Sequence, residues 1–332
     1  MQKNYGVKFA GIGASLPSKI VKNTDLEKLF DTSDEWIYTR TGIRERRIIG
    51  ENENGLSLSL DASNQALKMA KLDPKDLDLI IVCTSTPDKL YPSTSCLLQG
   101  KLNAKKAVSF DLSAACSGFV YGIVVASQFI YTGQYENILL VGVDVHSRFI
   151  DWSERSVSVL FGDGAGAVVV KSCLAKDDEL ISYLIRSDAD NDLNLLLDND
   201  NVLFSDSKKT KCSNFVRMKG KTIYEFALKV VPEITGELLD KANMKINQID
   251  YFIPHQANQR IINATTTRIG FLPEQIISNI EHVGNTSAAS IPLALADGLC
   301  SGRIKTPCTM ILVGFGAGLT WGGTIINWHC KK

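Results

Sequence analysis

The chain has 332 residues, 45% of them hydrophobic and 22% charged, with 36 basic side chains against 36 acidic ones. That is an ordinary globular composition, long enough for two core-forming units or one large α/β unit, and its zero net charge gives no hint of a nucleic-acid or membrane-surface partner. No apolar run approaches the roughly 18 residues that span a bilayer, and the eight scattered cysteines form no CxxC pair, which argues against a metal site or disulfide framework and for a reducing cytoplasm.

Near the start, "GIGASLP" lacks the third glycine of a dinucleotide fingerprint and opens no clear helix. A helical stretch over 57–71 leads to two apolar, β-branched runs, "LDLIIVCTST" (77–86) and "AVSFDL" (107–112), which read as buried strands. Cys116 follows, at the junction with a helix over 117–132 that is apolar nearly all round. The free N–H groups and dipole of such a helix start are expected to stabilise a thiolate and lower the thiol pKa below about 8.5. Ala114, Ala115 and Gly118 leave room for a substrate to reach the sulfur. Further strands are expected at 137–145 and 165–172. The glycines of "FGDGAGAVVV" precede a strand rather than a helix, so they support neither a nicotinamide cofactor nor a P-loop.

The segment 173–215 is rich in Asp and Asn and reads as a solvated connection or flap. A calcium loop beginning at Asp188 is rejected, because Leu193 replaces the required glycine and Asn199 the final glutamate. A helix over 222–242 comes next. "YFIPHQANQRI" then sets His255 directly after a buried strand, with Pro254 fixing the approach. "EHVGNTSAAS" sets Asn285 between Gly284 and Thr286, and Thr286 or Ser287 can cap the helix that covers 291–300. Strands at 308–315 and 322–329 flank "GFGAGLTWGG", a tight turn able to aim a backbone N–H into a site and to complete an oxyanion hole with the amide of Cys116.

One offset of 172 residues relates "DLIIVC" to "DYFIPH" and "ILLVGV" to "MILVGF". A shared offset predicts an internal duplication, with halves over 1–172 and 173–332. It lays the loop around Cys116 over the loop around Asn285 and sets His255 opposite Cys83. A pseudo-twofold axis would then gather Cys116, His255 and Asn285 at strand ends, where open α/β sheets build their sites. A Cys–His–amide set suits acyl transfer through a thioester.

The motifs "DTSDEWIYTRTGIRERR", "AACSGF", "FGDGAGA", "PHQANQRI", "GNTSAAS" and "FGAGLTWG" resemble the β-ketoacyl-[acyl-carrier-protein] synthase III family of the thiolase superfamily, from about residue 6 to the end. The resemblance implies a five-layered αβαβα sandwich of two duplicated halves and a cytoplasmic homodimer. It implies a decarboxylating condensation of acetyl-CoA, or another short acyl-CoA, with malonyl-acyl carrier protein. The family carries no permanently bound cofactor; acyl-CoA is a substrate, and no metal is implied. By this resemblance Cys116 carries the acyl group and His255 and Asn285 donate to the enolate oxygen. The amides of Cys116 and Ala317 form the oxyanion hole. CoA contacts fall on Thr32, Trp36, Arg40, Arg155, Gly220, Ala257 and Asn258. Tyr91 falls where relatives close the acyl pocket across a dimer interface, and its bulk favours a short primer. Arg260 and Arg268 match carrier-docking cations, although Glu225 and Thr267 stand where some relatives have lysine. Arg44, Arg46 and Arg47 read as scaffold or solvated surface. A thiolase would need a second cysteine in the C-terminal glycine loop, which has none. The rival is a secondary-metabolism ketosynthase or acyltransferase with the same triad.

Overall fold

The structure, a computed structural model, describes residues 4–190, 192–197 and 214–330. Cys212 and Asn199, the last position of the rejected calcium loop, lie outside the described residues, as does the middle of the 173–215 connection.

Two sheets carry the fold. The first is built from β1 (Tyr5–Ser15), β2 (Leu79–Cys83), β3 (Val108–Leu112), β4 (Asn137–Val145) and β5 (Asp163–Leu174), in the order β1-β5-β4-β2-β3. The second uses β6 (Leu180–Ser187), β7 (Tyr251–Pro254), β8 (Cys308–Gly316) and β9 (Thr320–Trp328), in the order β7-β8-β9-β6. The helices that matter here are α1 (Asp34–Thr41), α2 (Gly55–Ala70), α3 (Thr94–Leu102), α4 (Gly118–Tyr131), α5 (Gly220–Ala242), α6 (Gln259–Ile269) and α7 (Ser290–Cys300).

Three apolar clusters separate five layers. Alternation along β2 sends Ile80 and Val82 to one face and Leu79, Ile81 and Cys83 to the other, as a pleated strand must. The first set packs on α2 and α3 through Leu58, Ala62 and Leu98. The second meets Phe119 and Ile123 of α4, Ile291 and Leu295 of α7, and Met310 and Leu312 of the second sheet. The far face of that sheet, with Phe252, Ile311 and Val313, packs on Val230 and Ile234 of α5 and Ile261 of α6. Both sheets are covered on both faces, which is why β4 and β8 read as unbroken apolar runs.

The halves repeat at the level of register. Leu79 pairs in parallel with Ile138 in the first sheet, and Tyr251 pairs in parallel with Met310 in the second. Both partners shift by the 172 residues found in the sequence. The repeat weakens where β3 would recur: only a single parallel bridge, Phe252 to Ile276, borders β7, and Ile280–Val283 then forms a helical turn. The stretch 173–215 is not wholly a solvated connection: Leu180–Ser187 forms β6 and pairs antiparallel with β9.

Candidate active site

Cys116 lies in a one-turn helix, Ala115–Ser117, that runs directly into α4. An equivalent turn, Ser287–Ala289, runs into α7 exactly one repeat later. Each turn opens on a non-glycine residue in the left-handed region, Ala115 at φ 44° and Ser287 at φ 51°. Such backbone costs about 1–3 kcal/mol and persists only where the surroundings enforce it. The surroundings are reciprocal. A Cβ on Gly142 of β4 would meet the Ala288 carbonyl oxygen at 2.4 Å, and one on Gly314 of β8 would meet Ser117 Cα at 3.0 Å. Each elbow therefore rests against a bare strand position of the opposite half.

The resting sulfur is not the stabilised thiolate that its helix start suggests. Burial pushes the Cys116 thiol up to about 12, and Asp144 adds to the rise. The hydroxyl of Ser287, which donates to Sγ at 3.2 Å, works the other way and is outweighed. Desolvation of an anion in a closed apolar pocket exceeds what a helix terminus returns. The capping expectation is corrected as well. α7 begins without a side-chain cap, the Ser287 hydroxyl serves the sulfur, and Thr286 Oγ1 is buried without a partner among the described residues.

His255 follows β7, with its amide donating to the Val313 carbonyl at 2.7 Å. Its ring stands edge-on to Phe315, with centroids 5.2 Å apart, and its Nδ1 lies 2.7 Å from Ser290 Oγ. Burial, with His146 nearby, pulls its pKa down to about 3, so the imidazole is neutral. Asn285 is pinned by backbone bonds to Leu160 and Gly162, at 2.8 and 3.0 Å. Its Oδ1 accepts the Ser287 amide at 2.9 Å, which leaves Nδ2 as the free end. Cys116, His255 and Asn285 together line one cavity of about 110 Å³.

A second cavity of about 330 Å³ opens on the other side of the sulfur, and Cys116, Phe161 and Leu195 line both. Ala317 lines the larger one, along with Ser85, Ser113, Leu196 and Val216. Thr320 Oγ1 lies 3.1 Å from the Ala114 carbonyl and 2.9 Å from that of Ala317, tying the elbow to the glycine-rich turn. Gly220, Ala257 and Asn258 line the smaller cavity. Asn258 Nδ2 donates to the Arg40 carbonyl at 3.1 Å. The guanidinium groups of Arg40 and Arg155 each lie 4.4 Å from the Trp36 ring centre, and Thr32 Oγ1 is buried without a partner among the described residues. Asn258 thus links the wall of the smaller cavity to Arg40, one of two cations against an aromatic ring, a cluster that suits a base and its phosphates.

The remaining expected residues lie outside this constellation. Tyr91 is 86% exposed and lines neither cavity. Arg260 is exposed above Tyr224, which lines the smaller cavity, and Arg268 is exposed and donates to the Leu228 carbonyl. Of the three arginines read as scaffold or surface, Arg46 is fully buried on the carbonyls of Val21 and Val159 and on Asn23, while Arg44 pairs with Asp34. The sequence reading missed four residues here: Ser287, Ser290, Asp144 and His146. Asp144 is fully buried, accepts the Ala288 amide on Oδ2 and the amides of Ser85 and Thr86 on Oδ1, and so joins the second elbow to the loop that lines the larger cavity. His146 lines that cavity, stacks on Phe161, and has a sealed Nδ1 without a partner among the described residues. Only Ser287 and Ser290 had a signal, as members of "GNTSAAS"; nothing marked the other two.

Family models agree with this geometry. Residues 110–189 match that of 3-oxoacyl-[acyl-carrier-protein] synthase III, and residues 239–328 match that of its C-terminal part. The chain is 45% identical to the β-ketoacyl-[acyl-carrier-protein] synthase III of Trichormus variabilis, over 98% of this chain and 99% of that one. It is also similar to the crystal structure of the Aquifex aeolicus 3-oxoacyl-[acyl-carrier-protein] synthase III, with a TM-score of 0.90 at 41% identity over 97% of this chain and all of that one. The priming β-ketosynthase of the R1128 polyketide pathway aligns at a TM-score of 0.92 and 32% identity, over all of this chain and 99% of that one.

Proposed function

The chain belongs to the β-ketoacyl-[acyl-carrier-protein] synthase III family, and from that premise we propose how its own residues run the reaction. It is an acyltransferase that condenses a short acyl-CoA with malonyl-acyl carrier protein, with loss of CO2, to begin fatty-acid synthesis. The observation that carries the assignment of roles is the convergence of Cys116, His255 and Asn285 on one buried cavity.

Cys116 attacks the acyl-CoA thioester. The acyl group moves to Sγ, and the thiol proton leaves with CoA. The amides of Cys116 and Ala317 hold the oxyanion, and the acyl chain extends into the 330 Å³ cavity on the Ala317 side. Thr32, Trp36, Arg40, Arg155, Gly220, Ala257 and Asn258 hold CoA between the smaller cavity and the Trp36 cluster. Malonyl-acyl carrier protein then enters by the same route, with Arg260 and Arg268 meeting the acidic carrier. As the bond to the carboxylate breaks, its electron pair moves onto the thioester oxygen, where His255 and Asn285 donate. The resulting carbanion attacks the acyl-enzyme carbonyl and expels the sulfur, which takes up a proton. A neutral imidazole and an amide suit this task, because a donor that keeps its proton stabilises the enolate without quenching it.

The protein acts as a cytoplasmic homodimer. β3 supports this, for it is an edge strand whose first residue, Val108, is half-exposed, an open ladder suited to a second copy. Tyr91 of that copy would close the acyl cavity. The likeness to a polyketide priming ketosynthase keeps a secondary-metabolism role as a second reading.

The test is stepwise. Acyl-CoAs are offered and the loaded residue identified by mass spectrometry, then malonyl-acyl carrier protein is added and CO2 and 3-ketoacyl product are followed. Cys116→Ser should abolish loading. His255→Ala and Asn285→Ala should load normally yet lose decarboxylation by about 10²–10³-fold, the scale of a removed oxyanion donor. Normal decarboxylation in both would end the assignment of donors. Transfer of the loaded acyl group to an amine or alcohol would favour the second reading.

A further inference from the structure

A neutral histidine carries one proton on either ring nitrogen, and only one choice makes His255 a donor to the cavity. Decarboxylation itself supplies no proton: the electron pair of the breaking C–C bond passes to the thioester oxygen and CO2 departs. The donor must therefore hold its hydrogen on the cavity side before the substrate arrives.

The partner that makes this choice is Ser290. It is fully buried, opens α7, and stands five residues after Asn285 on the same turn. Its Oγ lies 2.7 Å from His255 Nδ1 and accepts the Gln256 amide at 3.3 Å. With the oxygen already accepting an N–H, its own hydrogen turns to the remaining acceptor. Among the described residues that acceptor is Nδ1. The opposite tautomer would aim Nδ1–H at the same oxygen and strand the hydroxyl hydrogen in a dry site, an arrangement buried polar groups avoid. We infer that Ser290 is the positioning residue that holds His255 as the Nε2–H tautomer, so that the enolate oxygen meets a preset donor. This rests on the reading of His255 as an enolate donor.

With four histidines in the chain, a 15N-histidine NMR spectrum is simple, and His255→Ala identifies the His255 signals by their loss. The wild type should show His255 protonated at Nε2. Ser290→Ala should shift His255 toward Nδ1–H and slow malonyl-thioester decarboxylation by about tenfold or more, the scale seen when a supporting hydrogen bond or the correct tautomer is lost. Acyl loading of Cys116 should stay within about twofold, and Ser290→Thr should restore both the tautomer and the rate. An Nδ1–H signal in the wild type would overturn the inference, as would an Ser290→Ala variant that keeps Nε2–H and the full rate. If Ser290→Ala does not fold, the wild-type spectrum and Ser290→Thr still decide. Full decarboxylation by His255→Ala would instead remove the donor reading, a separate failure that leaves the tautomer measurement standing.

Discussion

At Cys116, acidity and reactivity part company. The sulfur is pushed up to about 12, so at neutral pH the free enzyme is a thiol. Alkylation of Cys116 by a small electrophile, followed by site-resolved mass spectrometry, should accelerate with each pH unit from 7 to 10 and show no plateau in that window. A plateau below about pH 8 would mean that the helix start and Ser287 outweigh burial. His255 gives a second pH effect, in stability. Its folded pKa, about 3, lies below the ordinary value of 6.5, so the unfolded chain binds the extra proton between those values. The contribution is whole above about pH 6.5 and is lost as pH falls toward 3. Between pH 7 and pH 5.5 the loss is about 1 kcal/mol by linkage. His255→Gln should remove that increment from a denaturant titration repeated at the two pH values. Neither value is readable from sequence, because both come from desolvation by residues far away in the chain.

At the level of elements, the two elbows and the strands they touch form one cross-braced unit. Gly142→Ala would drive a methyl group into the Ala288 carbonyl, with the Phe119 ring also 3.3 Å away. Overpacking of this kind costs about 1–3 kcal/mol. The variant should melt several degrees lower in a thermal scan and load acyl groups more slowly, because the displaced turn carries Ser287. β4, covered on both faces, is apolar from Ile138 to Val143, and its bounds match the sequence expectation at 137–145. β6 is not so marked. It lies at a sheet edge with its outer residues exposed, and its short apolar run LISYLI is overshadowed by the Asp- and Asn-rich tract beside it. Cys116 and Asn285 were readable because each stands beside small residues ahead of an apolar helix, and His255 because it follows a buried strand. Ser290 was not, since a serine among alanines looks like any helix opening until the facing imidazole is known.

At the level of the molecule, duplication explains why the site needs both halves. The first carries Cys116, the proposed nucleophile, the second carries His255 and Asn285, the proposed donors, and Asp144 ties the elbow of one to the strand of the other. The two sheets differ at the rim, since a full strand, β3, ends the first while the second is bordered there by the single bridge Phe252–Ile276. β3 therefore offers the longer open ladder to another copy. Val108→Lys, at the open end of β3, should therefore raise the monomer fraction in sedimentation velocity without unfolding the chain. Primer selectivity should relax in parallel, because Tyr91 would no longer be delivered. A variant that stays dimeric to the same dilution as the wild type would move the interface elsewhere.

The narrow cavity beside the sulfur has a kinetic corollary. If both thioesters enter by the route proposed above, they reach Cys116 through a space of about 110 Å³, which cannot hold two of them abreast. The lane has one direction of traffic at a time: spent CoA has to back out before the carrier can come in. Turnover is therefore an alternation, and either thioester present in excess will obstruct the other.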